Sequence, residues 1–202
     1  MNAPTNKLKD SELLVRYMAG DEEVFRELVG RYKNPLYAFL KRFLNRQDLV
    51  EDVFQETFLQ LYMSKESFDT SRPLRPWLFT IAANKAKDAL RKMQRGASVE
   101  LGVVADAGDV SIDDVVNLLT SYKITPDEEV SGDETAQRVR EIIANMPEKL
   151  RGILILAYFE QFSYKQMAEI LSIPIGTVKS RLHTAVVYFT KKWKAANRSN
   201  DK

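Results

Sequence analysis

Three groups of side chains in this 202-residue chain have types and spacings that can do chemistry. Asp48, Glu51, Asp52 and Glu56 recur at three and four residues, so on a helix they share a face. Such a face can hold a metal in a carboxylate bundle or dock a basic partner. Di-iron bundles need Glu-x-x-His pairs, and the single histidine, His183, lies far along the chain. With no cysteine, thiolate metal sites, disulfides and thiol redox chemistry are excluded. The acidic face therefore reads as a docking or solvated surface, and no cofactor is expected. The second group is Asn84, Lys85, Lys87, Asp88, Arg91, Lys92 and Arg95, preceded by FDTSRPLRP, which supplies Phe68, Arg72 and Arg75. Amides and cations beside an aromatic loop suit a nucleic-acid strand; a salt-bridged amphipathic helix is the plain alternative. The third group is Gly176, Lys179, Ser180, His183 and Thr184, with Arg181 beside them and no acid from Lys179 until Asp201.

Positioning these groups requires helices throughout. Asp21-Glu22-Glu23 gives an N-cap and an acidic first turn, followed by Val24, Phe25, Leu28, Val29 and Tyr32 at helical spacing. Asn34-Pro35 punctuates, and Pro35 is expected to open a new helix with Leu36, Phe39, Leu40 and Phe43. A third helix begins near Asp48, and a fourth runs from about Trp77 to Gln94 after an irregular loop, Phe68 to Pro76. Together they make a helical bundle over roughly residues 8–95. Farther on, a helix spans Ala136 to Met146, and Pro147 opens another through about Glu160, interrupted by Gly152. Ser163 and Gln166 form an S-x-x-Q capping box, and Pro174 stands where a last helix begins. Val178, Leu182, Ala185, Val186 and Phe189 are its inner stripe, so Lys179, Ser180, His183 and Thr184 face outward. This is helix-turn-helix architecture with a second helix shaped for a major groove; a plain helical hairpin is the competing reading.

Charge divides the chain in the same way. Residues 97–135 carry ten acids and one base, a net −9, which leaves +11 on the remainder of a chain whose total is +2. Two basic blocks flanking an acidic, Gly- and Ser-containing middle read as two folded units joined by a flexible linker, with one short docked helix over 113–119. Basic blocks suit a polyanion, most simply nucleic acid. The sequence offers no apolar run able to span a bilayer and no apolar signal-peptide core near its N-terminus, so a cytoplasmic protein without membrane insertion is expected.

The segment SYKQMAEILSIPIGTVKSRLHTAV resembles the promoter-reading motif of the extracytoplasmic-function group of bacterial sigma factors. Independently, EDVFQETFLQLY is similar to the group's polymerase-binding helix, and FDTSRPLRPWLFTIAANKAKDALRK to its −10 loop and helix. The resemblance implies an all-α protein that is not itself an enzyme. Residues 1–96 would bind core polymerase and the −10 element, 97–134 would link, and 135–202 would bind the −35 element. It places Asp52, Gln55, Glu56 and Phe58 on the surface that meets the clamp coiled coil of RNA polymerase. Asn84, Lys85, Asp88 and Arg91, with Phe68, Arg72 and Arg75 of the loop, would hold the melted non-template strand and its flipped base. Trp77 matches a structural tryptophan and is assigned to the core. Thr177, Lys179, Ser180, His183 and Thr184 would meet the −35 element, and Arg181 a phosphate. Expected partners are core RNA polymerase, promoter DNA and an anti-sigma factor. Thr184 and Val187 stand where arginines are common in the group, and Leu74 replaces a more usual loop residue. A helix-turn-helix regulator acting on duplex DNA alone would account for the last block but not for the acidic face or the Phe68–Gln94 segment.

Overall fold

The computed structural model describes residues 8–64, 68–93, 117, 119 and 134–198. Among these residues all regular elements are helical. Helix α1 (Asp10–Met18) starts where the Glu12 carboxylate accepts the Lys9 backbone N–H at 2.7 Å, and it buries Leu13, Leu14 and Tyr17. Helix α2 (Glu22–Leu44) is continuous through Pro35, so the expected break there does not occur. A mid-helix proline costs about 3 kcal/mol through its lost hydrogen bond and its ring clash. Burial outweighs that cost: Leu28, Tyr32, Leu36, Phe39, Leu40 and Phe43 keep one apolar stripe in register on both sides of Pro35. Arg31 pins the same turn by bonding the Leu8 carbonyl, Asp10 and Glu27. The helix stops at Asn45 in the left-handed region, φ 53°. Asp21 precedes α2, but its carboxylate accepts from Arg16 at 2.6 Å instead of capping the helix.

Helix α3 (Gln47–Met63) buries Val50, Val53, Thr57, Phe58 and Leu61. Helix α4 (Leu74–Met93) begins three residues before the expected start at Trp77. Pro76 is tolerated because first-turn N–H groups have no intrahelical acceptor. The irregular loop is correspondingly shorter, and Asp69 organises it by accepting from both the backbone N–H and the hydroxyl of Ser71. The acidic segment, residues 97–134, lies almost wholly outside the described residues; Asn117 and Leu119 are helical there, with Leu119 fully buried.

In the second block, α5 (Glu134–Ala144) leads through Pro147 into α6 (Glu148–Leu154). The expected single helix to Glu160 changes character instead: Ile155–Phe159 is a π-helical turn. Helix α7 (Tyr164–Leu171) carries the expected capping box, with Ser163 Oγ accepting from the Gln166 N–H and Gln166 Oε1 accepting from the Ser163 N–H. Ser172, in the left-handed region at φ 55°, makes the turn. Helix α8 (Ile175–Arg198) then buries Val178, Leu182, Ala185, Val186 and Phe189.

The two blocks share one hydrophobic core, which runs from α1–α4 into α5–α8 without a break. Helix α4 packs on α7, and α2 touches α5, α6 and the π turn. Gly152 belongs to this seam. A Cβ there would lie 2.6 Å from the Phe43 ring, so the glycine admits an aromatic edge from the other block. That requirement outweighs the roughly 1 kcal/mol that glycine costs inside a helix.

Candidate nucleic-acid interface

The outer face of α8 is built by elimination. Its apolar stripe faces α6 and α7, so the remaining positions meet solvent. Lys179, Ser180 and His183 are exposed; Thr177, Arg181 and Thr184 are half-buried. Two of the hydroxyls direct their protons to the helix: Ser180 donates to the Thr177 carbonyl at 3.2 Å and Thr184 to the Ser180 carbonyl at 2.9 Å. Lys179 and His183, one turn apart, are the longer groups of that face.

On α4, Asn84, Asp88 and Arg91 are exposed, and Asp88 pairs with Arg91 at 3.2 Å. Lys85 is half-buried and pairs with Glu56 of α3 at 3.2 Å. Lys87 is half-buried; desolvation holds its amine below the usual lysine value, and Arg91 adds to the effect. Phe68 is buried, its ring centroid 4.4 Å from that of half-buried Trp77. The tip of the loop is therefore polar, with Ser71, Arg72 and Pro73 exposed. Arg72 reaches Asp69 at 3.5 Å. Arg75 turns away from the tip: it bonds the Glu160 carbonyl at 2.9 Å and the Glu160 carboxylate at 2.8 Å. A groove of about 580 Å³ separates this loop from α7, lined by Arg72, Trp77, Thr80, Lys165, Gln166 and Glu169.

The acidic face of α3 divides similarly. Asp52, Gln55 and Glu56 are exposed, whereas Phe58 is buried and packs on Phe54. Asp48 is engaged by Arg46 at 2.6 Å, and Glu51 accepts from Gln47. Asp48 and Glu51 thus have polar partners of their own, and among the described residues no three acids are placed to hold a metal ion. The sequence reading overlooked Glu160 and Phe159 as partners of Arg75 and Arg42 in the first block. Its one available signal was Gly152, a weak helix former in an otherwise helical run.

This arrangement has relatives. The first block matches the sigma-70 region 2 family over residues 28–96, and the second matches sigma-70 region 4 over residues 136–187. The chain is 36% identical over 179 residues to the ECF RNA polymerase sigma-E factor of Haemophilus influenzae, covering 89% of this chain and 92% of that protein. It is 31% identical over 164 residues to the ECF RNA polymerase sigma factor SigW of Bacillus subtilis, covering 81% and 86%. Among solved structures, CnrH in complex with the cytosolic domain of CnrY superposes with a TM-score of 0.63 at 21% identity, covering 92% of this chain and 97% of that one. The sigma factor RpoE of Bartonella quintana, in complex with the anti-sigma factor NepR, gives 0.61 at 24% identity, covering 84% and 96%. These two likenesses concern the fold.

An all-α chain with a region 2 block before a region 4 block is a sigma-70-type specificity factor of RNA polymerase. Within that class, the chain belongs to the extracytoplasmic-function (ECF) sigma factors. It binds core RNA polymerase and directs promoter recognition, strand opening and transcription initiation. Region 2 is what a duplex-only regulator leaves unexplained. No helix among the described residues is long and apolar enough to cross a membrane.

Proposed function

We propose that the polymerase-docking and strand-reading surfaces lie side by side on the α3–α4 hairpin, and that α8 reads the −35 element. The observation that carries this reading is the 3.2 Å pair between Glu56 and Lys85, which joins the acidic face of α3 to the amide-and-cation face of α4. On that basis Asp52, Gln55 and Glu56 meet basic residues of the polymerase clamp, while buried Phe58 sets the shape of the surface from beneath. Asn84, Asp88 and Arg91 contact the melted strand near −10, and Arg72 with Ser71 approaches its backbone from the loop tip. Phe68 supports Trp77, so base stacking on Phe68 would require the loop to rearrange. Lys179 and His183 reach base edges at −35, Thr177, Ser180 and Thr184 line the contact, and Arg181 meets a phosphate. Residues 1–96 and 135–202 act as the two binding domains and 97–134 as their tether. The protein supplies recognition and strand opening and leaves catalysis to the polymerase, and it acts in the cytoplasm. The neighbour solved with the anti-sigma factor NepR supports a protein partner of the anti-sigma type for this chain as well.

Asn84→Ala tests the strand-reading role. Permanganate footprinting on a promoter should show less reactive, unstacked thymine around −10, while binding of duplex −35 DNA stays unchanged. Equal reactivity with the variant contradicts the role given to Asn84.

A further inference from the structure

The first turn of α8 carries two residues that the fold itself does not call for. Gly176 is the first. Its φ lies outside the left-handed region, and a Cβ there would meet no atom within 4 Å. Gly152, by contrast, leaves a space that the Phe43 ring fills. Neither packing nor backbone conformation requires glycine at 176, and glycine is a weak helix former. Ile175 is the second. It is 46% exposed, and no other large apolar side chain of α8 stands as open among the described residues.

A single exposed isoleucine needs no explanation on an ordinary surface. This one stands at the head of the outer face, with Lys179 one turn and His183 two turns further on. Its neighbours Pro174 and Gly176 are exposed as well. The chemistry of a major groove gives such a pair a use. Among base edges there, thymine alone presents an apolar group, its 5-methyl, and it is read by apolar contact. The ammonium of Lys179 and the imidazole nitrogens of His183 are suited to the polar edges instead. A missing Cβ lets another molecule approach the backbone closely, which places the branched side chain of Ile175 within reach of the groove floor.

We propose that Ile175 and Gly176 form a notch that takes the 5-methyl group of one thymine in the −35 element, so that this base is read by its methyl. The inference rests on the reading of α8 given above. An apolar contact releases no counterions, so this part of the affinity does not depend on salt, unlike a phosphate contact.

The test uses the full-length chain with core polymerase. Preferred −35 sequences are selected from a duplex library randomised at that element. Each thymine is then replaced in turn by deoxyuridine, which lacks only the methyl group. Wild-type affinity should fall about fourfold at one position, the worth of one buried methyl. Ile175→Ala should bind the thymine duplex more weakly by at least a similar factor, with the salt slope unchanged, and should lose nothing further with deoxyuridine. Ile175→Val, which keeps a branched apolar side chain, should retain the sensitivity. Gly176→Ala should weaken binding to the selected duplex while its denaturation midpoint stays the same or rises, because alanine suits the helix better. A deoxyuridine response that survives Ile175→Ala assigns the methyl to another side chain and overturns the notch. A selected element with no thymine, or with none that responds to deoxyuridine, overturns it too. Undiminished binding by Gly176→Ala overturns the part given to the glycine. A selection that yields no −35 preference would instead overturn the reading of α8 itself.

Discussion

On α8, two exposed polar side chains remain for bases once the hydroxyl protons of Ser180 and Thr184 have turned to the helix carbonyls. His183→Ala should therefore cost roughly 1–3 kcal/mol on the preferred −35 duplex and little on random DNA. Arg181→Ala should weaken binding to all sequences alike and lower the salt slope by about one unit. Fluorescence titrations at several salt concentrations separate the two outcomes, and a uniform loss with His183→Ala contradicts base reading. Glu160 makes a different prediction. Burial lifts its carboxyl above the usual carboxylate range, and Arg75 and Arg42 offset the effect only in part. A carboxyl whose value is higher folded than unfolded takes up a proton on folding. Its contribution to stability is thus fully present below the unfolded value and is lost as pH rises through the folded one. The wild-type denaturation midpoint should fall across that window as pH rises, and Glu160→Gln should flatten that part of the dependence. A pH-independent wild type would contradict the buried position of this carboxyl. None of this was legible from residue types alone. Arg75 and Phe68 both read as available to DNA, yet one is held by Glu160 and the other lies under Trp77.

At the scale of elements, local rules held where a single turn decides and failed where packing decides. The Ser163–Gln166 capping box was visible as S-x-x-Q and formed as such. Ser163→Ala should lower stability by roughly 1 kcal/mol, read as a reduced denaturation midpoint, because it leaves the first turn of α7 without its acceptor. An unchanged midpoint would mean that water replaces the cap without loss. Pro35 shows the opposite case. Proline chemistry predicted a boundary, but the apolar stripe from Leu28 to Phe43 has no reason to stop there, and burial along α2 keeps the helix whole. The early start of α4 follows from the same asymmetry, since Pro76 is harmless in a first turn. The π turn at Ile155–Phe159 left no trace in the apolar pattern, because ILAYF suits an α-helix equally well.

For the whole molecule, the chain order was readable and the arrangement was not. The acidic middle separates two helical blocks in sequence, and each block matches its own family region. Their mutual packing brings Phe43 to Gly152, Phe79 to Phe162 and Arg75 to Glu160, partners that lie far apart in the chain and carry no shared pattern. The proposed docking surface on α3 is what lets this chain confer promoter-specific initiation on core polymerase. Asp52→Lys with Glu56→Lys reverses that surface at two exposed positions, where stability should change by less than about 0.5 kcal/mol each. The direct measurement is run-off transcription from a pooled promoter library by purified core polymerase, with no added factor, with the wild-type chain, and with this double variant. Discrete transcripts should appear only with the wild-type chain and should be lost or strongly reduced with the variant, while binding of −35 duplex is retained. Identical transcripts in all three reactions would contradict the claim.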